Sequence, residues 1–160
     1  SEVAHLELVR RLAAREVVRE YLALVHGGVD SGGVVDAAIG RHPSQRTRMA
    51  VRHQGGKHAV THYTPIQVYE KCSVLRCKLD TGRTHQIRVH MAAIGHPLIG
   101  DPTYGRRGAE PAFHRQALHA VRLGLKHPVE DREVYWESPL PQDLAELLAG
   151  LSKLPKIVKS

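Results

Sequence analysis

The stretch from Leu79 to Gly105, LDTGRTHQIRVHMAAIGHPLIGDPTYG, constrains the fold more than any other part of this sequence. Asp80, Thr81 and Gly82 interrupt a strand-forming run, after which Ile87, Met91 and Ile94 recur at helical spacing. Asp80 or Thr81 is placed to cap that helix. Gly95 tolerates the left-handed turn that stops a helix, and Pro97 confirms that it has ended. The chain must therefore turn, make one short helix and leave through two glycine-containing loops, and the flanking strands have to be arranged around that unit.

Strand signals lie on both sides. Val17 to His26 runs through β-branched and aromatic residues into the Gly27 and Gly28 pair. His58 to Tyr69 and Ser73 to Asp80 read as an antiparallel pair joined at Glu70 and Lys71. Ala117 to Lys126 and Arg132 to Trp136 follow the motif. Helical periodicity appears at the two ends: Val3, Leu6, Val9, Leu12 and Ala13 predict an amphipathic helix over Val3 to Glu16, and a terminal helix is predicted from Pro141 to Leu151. Between them, Val29 to Gly56 carries repeated Gly, Pro43 and several Arg, and predicts an irregular basic surface excursion with short strands. With a helix at its start and no strand before it, the chain is expected to form a sheet that lacks an upstream element.

The length of 160 residues and 42% hydrophobic content fit one compact domain, and a single Phe and a single Trp make its core aliphatic. Twenty-three Lys and Arg against 16 Asp and Glu leave a formal charge of +7, which suits an anionic partner but equally a merely soluble basic protein. Cys72 and Cys77 stand five residues apart in a strand region, so their side chains point to opposite faces, against a bridge or a shared metal. Two cysteines without a framework, no signal-like N-terminus and no apolar run near 18 residues lead to the expectation of a cytoplasmic protein with no membrane role.

Arg83 sits where the turn meets the helix, a rigid base from which a guanidinium can pair bidentately with a carboxylate or phosphate. Taken alone it is equally a surface charge. His85 and His90 are five residues apart on the helix, unlike the i, i+4 pair of a zinc helix, and no glutamate accompanies them, so no metal site is expected. No Ser lies in a Gly-x-Ser-x-Gly elbow, and Gly27, Gly28, Gly32 and Gly33 lack the Lys and helix of a phosphate loop. They read as turns.

The long motif resembles the third conserved motif of the RluA-type pseudouridine synthases. The likeness extends through REYLALV, VDAAIGRHPSQRTRMAV, GKHAVTHY and RQALHA, covering nearly all of residues 2 to 145, and the basic strings are similar to the RluD-like branch, which modifies large-subunit ribosomal RNA. The resemblance implies an α+β pseudouridine synthase fold, with a mixed, largely antiparallel sheet, flanking helices and an RNA cleft; the strand and helix pattern agrees in class. It also implies isomerisation of uridine to pseudouridine without cofactor or metal, on a flipped-out nucleotide, with ribosomal RNA as partner. Tyr21 matches the family tyrosine that stacks on the flipped uracil, although by itself it reads as a core tyrosine of a strand. Arg83 matches the basic residue that pairs with the catalytic aspartate, lowering its pKa by roughly 1 to 3 units. Leu98 and Ile99 fall in the segment that helps line the apolar side of the uracil pocket. Asp101 is expected to fix its loop. Arg41, His42, Arg46, Arg48 and Arg52 are the candidates for gripping RNA backbone, against the alternative of a solvated charged loop.

The catalytic aspartate of the family lies in a motif resembling H-R-L-D, which does not occur in this sequence. The family pattern explains Asp30, Asp36, Asp80, Asp101, Asp131 and Asp143 as turns, caps or surface. The expectation is thus the N-terminally truncated C-terminal part of a catalytic domain, residues 1 to 160, without an S4-like domain, inactive alone and open to association through exposed surfaces. Two alternatives are a noncatalytic RNA-binding module derived from the family, and a basic domain that binds nucleic acid only electrostatically.

Overall fold

The computed structural model describes residues 2–6, 18–126 and 133–156. Residues 2–6 are helical, and the rest of the helix expected to Glu16 lies outside the described residues. The strands are β1 (Val18–His26), β2 (Gly33–Asp36), β3 (Ile39–Arg41), β4 (Met49–Val51), β5 (Val60–Val68), β6 (Cys72–Leu79), β7 (Leu118–Lys126) and β8 (Glu133–Glu137). Helix α1 spans Gln86–Ala93 and α2 spans Gln142–Leu151. Neither is long and apolar enough to cross a membrane.

Six strands form one sheet in the order β2-β5-β6-β1-β7-β8, and β3 pairs with β4 in a separate hairpin. Every pairing among the described strands is antiparallel, so the sheet stands at the antiparallel limit of the mixed arrangement expected. The β5–β6 hairpin turns at Tyr69 to Lys71, as the sequence pattern requires.

Because side chains alternate across a strand, the sheet divides its apolar residues between two cores. Ala23 and Val25 of β1 and Leu75 and Cys77 of β6 face α1, where they meet Ile87, Met91 and Leu98. Leu24, Cys72 and Val74 face the other way and meet Leu144 and Leu151 of α2, with Ile99 and Ala117. Each fully buried Leu contributes about 1.5–3 kcal/mol relative to leaving it exposed. The opposite facing of Cys72 and Cys77 is as expected; both thiols are free and buried, and burial pushes that of Cys77 up to about 12.

A third core joins the basic excursion to α1, with Ile39, Ala59, Val89 and Tyr104 buried together and Met49 and Val51 of β4 packed on them. The excursion is therefore a hairpin docked on the helix rather than a free loop.

The start of α1 differs from expectation. Neither Asp80 nor Thr81 caps it: the residue before the helix is His85, in the left-handed region at φ 56°, with no side-chain cap. Asp80 pairs with His62 at 2.8 Å. Thr81 is drawn inside, where its hydroxyl accepts from Val60 N and donates to Gln86 Oε1. For Thr81, the buried bonds to Val60 and Gln86 outweighed the local preference for an exposed cap. The helix end is as expected: Gly95 at φ +87° donates to Ala92 O and His96 donates to Met91 O, closing the last turn.

Candidate functional site

A cavity of about 470 Å³ opens where β1, the turn before α1 and the approach to β7 meet, and Tyr21 and Arg83 both line it. Tyr21 lies opposite Cys77 on β6 and Ala120 on β7. The β1–β7 register shifts between Glu20 and Tyr21, where Val121 is the extra residue on β7, so side-chain alternation along β1 continues through Tyr21. Tyr21 packs against the α1-side core and remains partly exposed, a ring supported behind and open in front.

Arg83 is held from two sides. Its Nε donates to His58 O at 2.7 Å, and its backbone N–H donates to Gln86 Oε1 at 3.0 Å. Among the described residues no carboxylate pairs with it, so the guanidinium keeps its remaining N–H groups for another partner. Gln86 in turn is fixed by a buried chain. Its Nε2 donates to Val60 O and to Thr61 Oγ1, each at 3.0 Å. Thr61 Oγ1 lies 2.8 Å from His90 Nδ1, and His90 Nε2 lies 2.8 Å from Ala37 O. A carbonyl only accepts, so His90 carries its proton on Nε2 and accepts the Thr61 hydroxyl at Nδ1. Burial pushes the His90 pKa down, in keeping with a neutral ring.

Behind the cavity mouth, Arg88 forms a bidentate pair with Asp101 at 2.8 and 2.9 Å. Asp101 Oδ1 also accepts from the backbone N–H groups of Thr103 and Tyr104, which ties down the GDPTYG loop. Burial pushes the Asp101 carboxyl up, but the Arg88 guanidinium and these backbone donors outweigh it and hold the pKa below its ordinary value. Tyr104 is a shared post: its hydroxyl accepts from Met49 N and lies 2.8 Å from His85 Nδ1, and Arg48 and Arg88 both lie over its ring.

The basic residues divide by role. Arg41 and Arg46 are exposed, joined by a bond from Arg41 Nη1 to Arg46 O. His42 Nδ1 accepts from the backbone of Ser44 and Gln45 and shapes the hairpin turn. Arg48 is turned inward over Tyr104 and donates to Gln45 Oε1, whereas Arg52 is half-buried beside Gly40. A second cavity of about 380 Å³ contains both Arg41 and Arg83, so the hairpin and the Tyr21 cavity share a wall. Leu98 and Ile99 do not line the Tyr21 cavity. Both are fully buried, Leu98 in the α1-side core and Ile99 in the α2-side core, because adjacent residues of an extended segment face opposite ways.

A family model described as RNA pseudouridylate synthase matches residues 1–93, more than half of the chain. The chain belongs to the RNA pseudouridylate synthase family. It is 52% identical over 159 residues to the ribosomal large subunit pseudouridine synthase D of Nitrosomonas europaea, covering 95% of this chain and 46% of that protein. It is 50% identical over 157 residues to the protein of the same name from Escherichia coli K12, covering 91% of this chain and 48% of the relative. The chain thus spans about half the length of these curated relatives. Among solved structures it is similar to human RNA pseudouridylate synthase domain containing 1, with 30% identity, a TM-score of 0.70, and coverage of 94% of this chain and 71% of that one. The likeness to human RNA pseudouridylate synthase domain containing 4, at 22% identity and a TM-score of 0.74, is one of fold. The α+β pseudouridine synthase fold implied by the sequence resemblance is the observed one.

Sequence reasoning missed several residues of this candidate site. Gln86 and His90 stand at i, i+4 among Ile87 and Met91, and two polar residues on the apolar stripe were the available signal. Arg19, which also lines the cavity, precedes Tyr21 by two residues. Strand alternation alone places it on the same face.

Proposed function

We propose that this chain is the C-terminal part of a catalytic domain that isomerises uridine to pseudouridine in large-subunit ribosomal RNA, working in the cytoplasm. The observation that carries this reading is the meeting of Tyr21 and Arg83, 62 positions apart in the sequence, in one cavity of a family member. A flipped uracil stacks on the Tyr21 ring, while the packed core behind it keeps the ring in place. The unpaired N–H groups of Arg83 receive the carboxylate that acts on the nucleotide, and the anchoring of Nε to His58 O sets their direction. Arg41, Arg46 and Arg52 grip RNA backbone beside the cavity, with His42 and Arg48 shaping the hairpin that carries them. Leu98 and Ile99 support the site from within the cores. The reading calls on no cofactor and no metal.

The same reading makes the 160-residue chain inactive by itself, because the family aspartate motif is not in its sequence. The test is pseudouridine formation on a large-subunit ribosomal RNA transcript, by the chain alone and by the chain joined behind a segment carrying the H-R-L-D motif. No product from the first and product from the second, abolished by Arg83→Ala, is the expected result. Product from the chain alone overturns its inactivity. RNA binding without product from the joined protein would instead favour a noncatalytic RNA-binding module.

A further inference from the structure

Three guanidinium groups line the Tyr21 cavity: those of Arg19, Arg83 and Arg88. Two are accounted for. Arg88 is neutralised by its bidentate pair with Asp101, and Arg83 is anchored to His58 O, with its free N–H groups assigned above to a carboxylate. Arg19 is half-buried, and its side chain has neither a hydrogen bond nor an ion pair among the described residues. Its planar fork of N–H donors borders the cavity with no carboxylate opposite it among the described residues, and an anion there would complete a charge-assisted pair.

Its position is not accidental. A Cβ on Gly82 would lie 2.7 Å from Arg19 Nη1 and 3.2 Å from Cζ, so the guanidinium rests on the bare α-carbon next to Arg83. Gly82 has no positive φ, so the glycine there serves this close approach rather than a special backbone conformation. Arg19 also precedes Tyr21 by two residues, about 6.6 Å along a strand, comparable to the reach of a nucleotide from its base to a phosphate on its sugar.

We propose that Arg19, seated on Gly82, binds a backbone phosphate flanking the uridine whose base stacks on Tyr21. The planar fork of a guanidinium matches two phosphate oxygens, so the contact fixes the sugar end of the nucleotide while Tyr21 holds the base. Arg19 is a substrate-positioning residue, and this role rests on the reading of the cavity as the uridine site.

The test compares binding of uridine and of uridine 3′,5′-bisphosphate to the 160-residue chain by NMR titration. The wild-type chain is expected to bind the bisphosphate at least about tenfold more tightly, the scale of a charge-assisted hydrogen-bonded pair. Arg19→Gln shrinks that advantage to about threefold or less and leaves uridine binding in place. Gly82→Ala acts in the same direction without unfolding the chain, because the far end of a flexible side chain is what must move. Lys153→Gln, which removes an equal charge at an exposed site by the end of α2, preserves the advantage. The proposal is overturned if the wild-type chain gains nothing from the phosphates, if Arg19→Gln keeps the advantage, or if Lys153→Gln erodes it equally. Tyr21→Ala separates the two readings: it weakens both ligands in parallel if the base stacks there. If it weakens neither while Arg19→Gln still removes the phosphate advantage, the uridine reading fails and the phosphate site stands. Failure of both ligands to bind the wild-type chain removes both.

Discussion

Gln86 makes four side-chain hydrogen bonds, accepting from Thr81 and Arg83 and donating to Val60 and Thr61, so both ends of its amide are saturated. Gln86→Leu keeps the size and leaves these buried partners unsatisfied, at about 1–3 kcal/mol for each orphaned group. We expect the urea midpoint to fall by the equivalent of about 2–4 kcal/mol, less than the full sum because water and small shifts recover some bonds. Gln86→Glu should also destabilise, since a carboxylate cannot donate to Val60 O; a midpoint equal to wild type for either variant would contradict the network. The Arg88–Asp101 pair is nearly dry, with side chains 11% and 0% exposed. Removing one partner of such a pair leaves a buried charge, so Asp101→Ala should cost about 3–5 kcal/mol, while replacing both by apolar residues should cost clearly less. Chemical denaturation of the single and double variants distinguishes the two.

At the scale of elements, the β3–β4 hairpin combines two jobs that its composition does not separate. Arg41 and Arg46 present exposed charge, whereas Arg48 lies over Tyr104 beside the hydroxyl that takes Met49 N. Replacing Arg41 and Arg46 by Ala should weaken RNA binding across sequences and lower the slope of log affinity against log salt by about 0.7–0.9 per lost contact, with stability unchanged. Arg48→Ala should instead lower the thermal midpoint by loosening the hairpin from α1. An unchanged salt slope for the first variant would reject the hairpin as a backbone grip. The element pattern itself was legible in the sequence wherever period and punctuation agreed: β1, the β5–β6 hairpin, β7, β8 and the Gly95 stop lie within a residue or two of expectation. The start of α1 was not, because Thr81 had a good exposed role as a cap and a better buried one as a partner of Gln86 and Val60.

Over the whole molecule, the shifted groups act in one direction as pH falls. Burial lowers the pKa of His26, His85 and His90, with Arg106 adding to the effect at His26 and Arg88 at His85. A histidine whose folded pKa lies below its unfolded value binds protons more readily in the unfolded chain, so its contribution is intact above about pH 6.5 and declines below it. Asp101 and Asp143 also have lowered folded values, Asp143 mainly through its hydrogen bond with Arg115. Their contribution is present above about pH 4 and is lost as pH falls through the folded pKa. Stability should therefore decline from pH 7 towards pH 5 and again below pH 4, with no recovery between. Thermal midpoints across that range test this, and a rise between pH 7 and pH 5 would contradict it. The formal charge of +7 works in the same sense, since protonation adds to an existing excess of positive charge.

What the sequence determined alone were quantities carried by local order: strand and helix periods, the turn at Gly82, the helix stop at Gly95, the opposite facing of the two cysteines, and the motif that resembles the family. Tyr21 and Arg83 were legible through that resemblance. Only the tertiary structure brought these two into one cavity, seated Arg19 on Gly82 and turned Arg48 inward. It also drew Thr81 and Gln86 into a buried chain and placed Leu98 and Ile99 in separate cores. The reason is physical. Period and turn chemistry depend on neighbours a few positions away, whereas hydrogen-bond saturation and charge pairing depend on groups that meet only after the sheet has closed around α1.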